Sequence, residues 1–270
     1  MVGAVLSFCA MAVAVRELQR SMGSFEILFL RSVVMLAIVA ALLLRTPGAW
    51  RTQRFALHAW RSVIHLAGQY LWVASLGLLT LATVFAIEFT IAVWVAVLAV
   101  VFLHERLTPG RLVQLALGIA GVLIIIQPGA VAFHPAALLM VLGSFFYAAS
   151  IVFTKRLSAT DSPQTVLLWM SLLQTPVTLV AALPSWMTPP SSALPWILLI
   201  GAGSYSAHYC MTRAMKLADA SVVAPIDFVR LPLIAVVGAV FYKEAFDPMV
   251  IVGAVVIFAG TYYSLSREKR

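Results

Sequence analysis

Two stretches of this chain, one in each half, align with each other without a gap: residues 86–109 and residues 225–248. In this alignment Glu88 of the first stretch matches Asp227 of the second. Each copy therefore places one carboxyl group inside an otherwise apolar segment. A carboxyl group within a membrane is energetically costly, so its presence indicates a functional site. Two such groups at equivalent positions predict two structural repeats with a site at the interface between them.

The apolar segments around these acids predict a membrane protein. The chain has 63% apolar and 10% charged residues, with a mean hydropathy of +1.02. A soluble domain has about one-quarter charged residues. Segments long enough to span a bilayer recur from one end of the chain to the other. We therefore predict an all-α integral membrane protein with ten transmembrane helices and no soluble domain.

The predicted helices form two sets of five. Helices one to five lie in the first repeat, residues 1–130, and helices six to ten lie in the second, residues 131–270. The first helix is short for a span, so either the natural chain begins upstream of Met1 or this helix ends at the membrane interface. The predicted helices are residues 1–15, 24–44, 61–78, 81–103, 109–126, 135–154, 163–183, 196–215, 220–242 and 248–266.

The basic residues predict the orientation of these helices. With both termini in the cytoplasm, thirteen Lys and Arg residues lie inside or at the inner boundary, and only Arg16, Arg20 and Lys243 lie outside. Such an excess is typical of the cytoplasmic side of a membrane protein. It predicts a multi-pass protein of the bacterial inner membrane, with Arg31 and Arg230 left within the bilayer. Because each repeat has an odd number of helices, the second is inverted relative to the first, as in many secondary transporters.

Residues in both halves carry a resemblance to a known family. In the first half these are residues 87–90, 94–99, 105–109, 118 and 120–123, and in the second half residues 225, 227, 244, 248, 253, 259 and 260. Together these residues resemble the EamA repeat of the drug/metabolite transporter superfamily. The resemblance covers nearly the whole chain and implies two repeats of five helices. It leaves the substrate open, because members move amino acids, nucleotide precursors, vitamins, S-adenosylmethionine and drugs.

The sequence departs from this family pattern in two places. His104 and Lys243 stand where the family often has a glycine before the glutamate. In addition, Arg230 follows Asp227 closely, whereas the first copy has only Glu88. We therefore do not expect the two acids to have equal roles.

Glu88 is the first candidate for a transport function. It lies about seven residues, or roughly 10 Å, into predicted helix four, which places it inside a hydrocarbon core of ~30 Å. No basic residue lies within four positions of it, and a buried carboxyl without a cationic neighbour favours its protonated form. Such a group could exchange a proton in each transport cycle or bind an ammonium group of the substrate. The structural alternative is a protonated glutamate that is hydrogen-bonded to a neighbouring helix.

The other buried charges have two interpretations each. Arg230 lies three positions after Asp227, so the two side chains either form a structural pair or leave Arg230 to bind a substrate carboxylate or phosphate. Pro225 is either a hinge or an ordinary kink. Arg31 either neutralises Glu88 or faces the substrate, unless it extends to the membrane interface.

A more polar stripe is predicted on helices three and eight. Gln69 and Tyr70 match His208 and Tyr209 at the repeat offset, and Trp72 follows in the first copy. These side chains could line a cavity with hydrogen-bonding groups and aromatic walls. The alternative is packing or an interfacial belt for the aromatic residues, and His208 is either a proton carrier or a hydrogen-bonded core residue. Weaker candidates of the same kind are Tyr147, Ser150, Trp169 and Gln174.

Motifs for catalysis are not found in the sequence. It has no glycine-rich phosphate loop, no nucleophile elbow and no metal-ligand spacing, so we expect no cofactor and no metal. Glu105 and Glu244, at helix ends, are expected to act as caps or interfacial ion pairs. A membrane-embedded enzyme or a scaffold is the alternative outside transport.

We therefore predict a secondary transporter that moves a small polar or zwitterionic organic metabolite, such as an amino acid, by alternating access. The formal charges of two acids and two arginines cancel, which favours a zwitterion. Cationic solutes such as S-adenosylmethionine or lipophilic drugs are the alternative, because two acids suit a cation. The expected partners are the substrate, protons as the coupling ion and the lipid bilayer. We expect a monomer that does not bind nucleic acid.

Overall fold

The computed structural model describes residues 2–44, 50–103, 108–127, 134–217, 230–245 and 247–268, and every regular element within these ranges is helical. The α-helices are α1 (Val2–Leu18), α2 (Ser24–Leu43), α3 (Phe55–Leu78), α4 (Leu81–Glu88), α5 (Ile91–Leu103), α6 (Pro109–Ile126), α7 (Ala136–Leu157), α8 (Pro163–Ala182), α9 (Leu194–Leu217), α10 (Arg230–Tyr242) and α11 (Pro248–Glu268). Two short 3₁₀ turns, Leu183–Ser185 and Ser191–Ala193, connect α8 to α9. The all-helical prediction is confirmed for this part of the chain.

The predicted single helix over residues 81–103 is wrong, because the structure divides it directly after Glu88. The N–H group of Thr90 donates to the carbonyl of Ile87 at 2.9 Å, which is a tighter turn than an α-helix makes. The hydroxyl of Ser144 on α7 donates to the same carbonyl at 3.3 Å. The break therefore leaves backbone polar groups that a neighbouring helix satisfies, next to the acid that the sequence singles out.

The distribution of side chains is that of a protein surrounded by lipid. Phe241 is 76% exposed and Val240 is 67% exposed, whereas Arg31 is only 1% exposed. Gln69 and Gln174 are buried as well. In a water-soluble protein the charged and amide side chains would face outwards. Polar groups inside and apolar groups outside are expected where the solvent is a hydrocarbon.

Helices from the two halves of the chain pack against each other. α1 packs on α9, α3 packs on α7, α2 lies against α8 and α9, and α6 pairs with α11. In the α6–α11 contact, a Cβ atom on Gly121 would lie 2.6 Å from the carbonyl oxygen of Gly253. Only glycine lets two helix backbones approach this closely. The interior is therefore formed by both halves together.

Hydropathy alone identifies three of the described helices as long and apolar enough to cross a membrane: α2, α7 and α8. α4, α5 and α10 are shorter. α3 carries buried polar residues such as His65 and Gln69, and α9 carries Ser204 and His208. Such side chains lower the hydropathy of a helix that faces other helices rather than lipid.

Candidate functional site

Glu88 joins three helices at the break between α4 and α5. Its Oε1 atom lies 3.3 Å from Nη1 of Arg230, the first residue of α10. Its Oε2 atom accepts a hydrogen bond of 3.0 Å from Nε1 of Trp72 on α3. All three side chains are buried, so neither water nor salt screens this ion pair strongly. The carboxylate therefore links the first half of the chain to the second.

This pairing corrects the expectation that Glu88 is a buried carboxyl without a cationic neighbour. Glu88 has no basic neighbour on its own helix, but the tertiary structure supplies Arg230 from the other half of the chain. The proposed pairing of Arg230 with Asp227, and the proposed hinge at Pro225, lie outside the described residues. Both remain predictions.

The guanidinium group of Arg230 lies within an aromatic cage, which we define as Phe8, Phe85 and Phe89. Its central carbon is 4.8 Å from the ring centre of Phe8, 4.9 Å from that of Phe85 and 5.8 Å from that of Phe89. Cations within about 6 Å of an aromatic face are attracted by the electron density of the ring. Arg230 is thus held by a carboxylate and by three phenyl rings at once.

Arg31 lies in a second buried cluster, where its hydrogen-bond partners among the described residues are all neutral. Its Nη1 donates to Ser204 at 2.8 Å. Its Nη2 donates to the side-chain oxygens of Gln69 and Gln174, each at 2.9 Å, and lies 3.3 Å from Ser32. No carboxylate of the described residues lies within ion-pair distance of Arg31. Of the alternatives left open by the sequence, neutralisation of Glu88 and extension to the membrane interface are both wrong for this structure.

Aromatic and imidazole rings connect the Arg31 cluster to the aromatic cage. The ring of His65 is 5.5 Å from that of Tyr147 and 5.3 Å from that of His208. His208 in turn packs edge-on against Phe8 at 5.8 Å, and Nε2 of Gln174 lies 3.3 Å from Nδ1 of His65. A continuous band of polar and aromatic groups therefore runs through the interior. We refer to it as the polar band; it comprises Arg31 with its partners, the rings of His65, Tyr147 and His208, and Arg230 with the aromatic cage, Glu88 and Trp72.

The structure brings most of the predicted site residues together, but it places two of them elsewhere. Tyr70 is 37% exposed and stacks on Phe25 at 4.6 Å. Tyr209 stacks on Tyr205 at 5.6 Å and packs beside the small apolar cluster around Met35. Both tyrosines serve packing in this conformation. They are the residues for which the sequence also allowed packing as an alternative.

Several residues of the polar band are missing from the sequence prediction, namely Phe8, His65 and Ser204. His65 had a detectable signal, because it lies four positions before Gln69 and so on the same face of α3. Phe8 and Ser204 had none, since a phenylalanine or serine in an apolar helix is common. Only the packing of α1 and α9 brings them to the site.

A cavity of about 160 Å³ lies between α3 and α8 and reaches the Arg31 cluster. Its polar lining groups include Gln174 and Ser62, and the hydroxyl of Ser62 has no hydrogen-bond partner among the described residues. Ligand pockets usually measure about 300–1,000 Å³. This cavity is smaller than such pockets, and its lining is mostly apolar, with Val63 and Val177 exposed.

Glu244 fastens the opposite end of α4. Its Oε1 atom lies 3.0 Å from Nη2 of Arg16 on α1, and its Oε2 atom accepts a hydrogen bond of 2.8 Å from the N–H group of Leu81. For Glu244 the expectation of a cap or an ion pair is met by these two contacts, whereas Glu105 lies outside the described residues. The C-terminal end of α4 is therefore linked to α10 through Glu88 and Arg230. The N-terminal end of α4 is linked to Glu244, which follows α10.

A polar contact between the beginning of α3 and the loop before α8 also joins the two halves. Oδ2 of Asp161, between α7 and α8, lies 2.6 Å from Nε2 of His58 and accepts a hydrogen bond of 2.7 Å from Thr52. Burial by itself would raise the pKa of Asp161, but the hydrogen bonds from His58, Thr52 and Thr160 outweigh it and hold the pKa below its usual value.

Metal binding is not indicated by the described residues, which contain no cluster of three or more His, Cys, Asp or Glu side chains that could hold an ion. The polar band offers hydrogen-bond donors, amide oxygens and aromatic faces instead. Such groups can form hydrogen bonds to an organic molecule and stack on it.

Comparisons with known proteins give a consistent result. The sequence profile of the EamA-like transporter family matches residues 1–127 and again residues 134–266. A riboflavin transporter of Rhizobium johnstonii is 30% identical over 98% of this chain and 86% of its own length. An S-adenosylmethionine uptake transporter of Rickettsia bellii is 26% identical over 92% of this chain and 85% of its own. A crystal structure with 17% identity superposes with a TM-score of 0.72 over 100% of this chain and 96% of its own, which shows a shared fold.

Proposed function

Because the chain belongs to the EamA-like transporter family, within the drug/metabolite transporter superfamily, we propose that it is a secondary transporter that carries a small polar organic metabolite by alternating access. Members of the family are transporters, not enzymes, and they are multi-pass proteins of the bacterial inner membrane.

The observation that carries this proposal is the polar band. Arg31, Gln69 and Trp72 come from the first half of the chain, and Gln174 and Arg230 come from the second. A site built by both halves changes its shape when one half moves against the other. Such relative movement is how transporters made of two repeats expose one site to each side of the membrane in turn.

The two-repeat architecture is part of the proposal. Inverted repeats at residues 1–130 and 131–270 would relate α1 to α7 and α3 to α9. The contact of α1 with α9 would then correspond to the contact of α7 with α3, and both contacts are present. The separate match of the family profile to each half also supports this interpretation. We propose that both termini lie in the cytoplasm, on the basis of the thirteen basic residues predicted there.

Riboflavin is the first substrate to test. Arg31 has neutral partners only among the described residues, and its Nε atom has no hydrogen-bond partner there. It can therefore donate to carbonyl oxygens of a planar uncharged heterocycle, whose ring can stack on aromatic side chains of the polar band. The zwitterion favoured by the sequence is a weaker candidate, because Glu88 and Arg230 already neutralise each other.

S-adenosylmethionine is the second candidate. The relative from Rickettsia bellii bears the name of a transporter for this compound. Within the site, Glu88 and the aromatic cage form surroundings that suit a cation. This candidate requires Arg230 to leave the cage, whereas riboflavin does not.

Proton coupling through Glu88 is the proposed source of energy. The sequence contains no phosphate-binding loop for ATP, so the transporter would use a gradient or exchange one solute for another. Protonation of Glu88 would remove one partner of its ion pair with Arg230 and so release α4 from α10. The loss of a buried ion pair changes the free-energy difference between two conformations by enough to shift their populations.

The test is uptake by purified protein in liposomes, with riboflavin, S-adenosylmethionine and an amino acid supplied separately. We expect saturable uptake of riboflavin, which Arg31→Gln abolishes. Arg213→Gln is the matched control, because it removes one positive charge from an exposed position of α9. Failure of all three compounds to be taken up, or to raise the melting temperature of the protein, would reject the proposed substrate classes.

A further inference from the structure

We propose that Arg230 is a specificity-determining residue, a built-in cation that occupies the aromatic cage beside Glu88 and thereby excludes cationic substrates. The inference rests on the proposed function, because it assigns a substrate class to the same site. It concerns what the site rejects, whereas the proposed function concerns what the site carries.

The geometry around Arg230 is that of a cation-binding site. A carboxylate oxygen lies 3.3 Å from the guanidinium group, and the rings of Phe8 and Phe85 lie within 5 Å of its central carbon. Proteins that bind free organic cations combine the same elements, an acid and several aromatic faces. Here the cation is covalently attached to α10, so the site is filled by the protein itself.

A second cation at this place would meet strong repulsion. Glu88 contributes one negative charge, and Arg230 already neutralises it at contact distance. Within a buried site the repulsion between two cations is much greater than in water. Discrimination by an unfavourable contact with the wrong ligand is a common way to achieve specificity. An uncharged substrate does not meet this repulsion.

Replacing Arg230 with alanine should turn the occupied cage into an open cation site. Glu88 then loses its partner, and the variant should be less stable than the wild type. Guanidinium ion, which matches the lost group, should restore part of this stability when it is added at millimolar concentration. Urea has the same shape without the charge, and sodium has the charge without the shape, so both should have little effect.

The experiment measures melting temperatures of the purified protein in detergent with guanidinium, urea or sodium at matched ionic strength. We expect guanidinium to raise the melting temperature of Arg230→Ala selectively. The wild type and the exposed control Arg213→Ala should not respond. The double variant Glu88→Gln with Arg230→Ala should also not respond, because its cage lacks the carboxylate. If alanine prevents folding, Arg230→Val is the second variant, because it keeps part of the side-chain volume and still leaves the position of the guanidinium group open.

A transport assay gives an independent readout with tetraphenylphosphonium, a lipophilic cation. We expect uptake by Arg230→Ala at least about ten-fold above that of the wild type, since one desolvated cation–π contact supplies roughly this factor. Equal responses to guanidinium and sodium, with no gain in cation uptake, would overturn the inference. The proposed function would still stand if the wild type takes up riboflavin, and it fails separately if the wild type takes up none of the tested metabolites.

Discussion

Three arginines are buried among the described residues: Arg31, Arg61 and Arg230. Of these, Arg31 and Arg230 are equally buried but differently held. Arg31 is 1% exposed and donates to two amide oxygens and a serine hydroxyl. Arg230 is 3% exposed and contacts a carboxylate and three phenyl rings. The first is stabilised by dipoles and the second by an opposite charge. The cost of removing either one should therefore differ, although their burial does not.

This difference indicates that the two arginines have different roles in the site. A cation held by amides and hydroxyls can turn its donors towards a ligand, because its partners are uncharged and can bond to each other or to water. A cation held by a carboxylate cannot leave without exposing a buried charge. We infer that Arg31 contacts the substrate, whereas Arg230 joins α4 to α10 and controls what enters the cage.

The largest expected effect is on stability, from Arg230→Met. We expect a loss of about 3–5 kcal/mol in the free energy of unfolding, because Glu88 is left as a buried charge without its partner from α10. Arg31→Met should cost less, about 1–3 kcal/mol, because it leaves only neutral groups behind. Denaturant unfolding of both variants in the same detergent measures the difference.

A double variant provides the control for this comparison. Glu88→Gln combined with Arg230→Met removes both charges, so it should recover much of the stability that Arg230→Met loses. Equal losses for Arg31→Met and Arg230→Met, without recovery in the double variant, would show that the two arginines are held in the same way.

The next effect is on transport, from Arg31→Lys. Lysine keeps the charge, but its ammonium group lacks the planar fork that reaches Ser204, Gln69 and Gln174 together. We expect riboflavin uptake to fall by about ten- to a hundred-fold, which corresponds to one or two well-placed hydrogen bonds. Initial rates over a range of riboflavin concentrations measure this. A variant with unchanged rates would remove Arg31 from the substrate site.

A smaller effect, on coupling, is expected from Glu88→Gln. Glutamine can still accept the hydrogen bond from Trp72, but it cannot exchange a proton. Riboflavin should continue to equilibrate down its own gradient, while an imposed proton gradient should no longer drive accumulation. Vesicles with a pH step across the membrane test this. Accumulation that still follows the pH step would assign proton coupling to another group.

The smallest effect is expected at the contact of Asp161 with His58, which lies apart from the polar band. Asp161→Asn should destabilise the protein by about 1 kcal/mol at pH 7, since neutral asparagine replaces a hydrogen-bonded carboxylate. Because folding lowers the pKa of Asp161, its contribution is present above the ordinary value of about 4 and is lost as the pH falls through the lowered one. Wild type and variant should therefore converge in stability as the pH falls below the lowered pKa. His58 and Thr52 face this carboxylate, so His58→Ala should reduce the difference between them.

Much of the architecture could be predicted from the sequence, because membrane segments leave few alternatives. A run of apolar residues in lipid must form a helix to satisfy its backbone. The recurrence of one acid in each half, together with the residues shared with the EamA repeat, predicted the family that the comparisons confirm. The break after Glu88 was missed, since apolar residues continue through it and the stabilising hydroxyl of Ser144 belongs to another helix.

By itself, the sequence determined that the chain is helical, belongs to a transporter family and contains costly charges at a few named positions. Only the tertiary structure decided how those charges are paired. Glu88 has no cation on its own helix, and no carboxylate of the described residues lies within ion-pair distance of Arg31. The partners of both side chains come from helices distant in sequence. The physical reason is that a buried charge needs a polar or charged partner, but burial alone does not determine which group that partner is. Distance and packing make that choice, and they exist only in the folded chain.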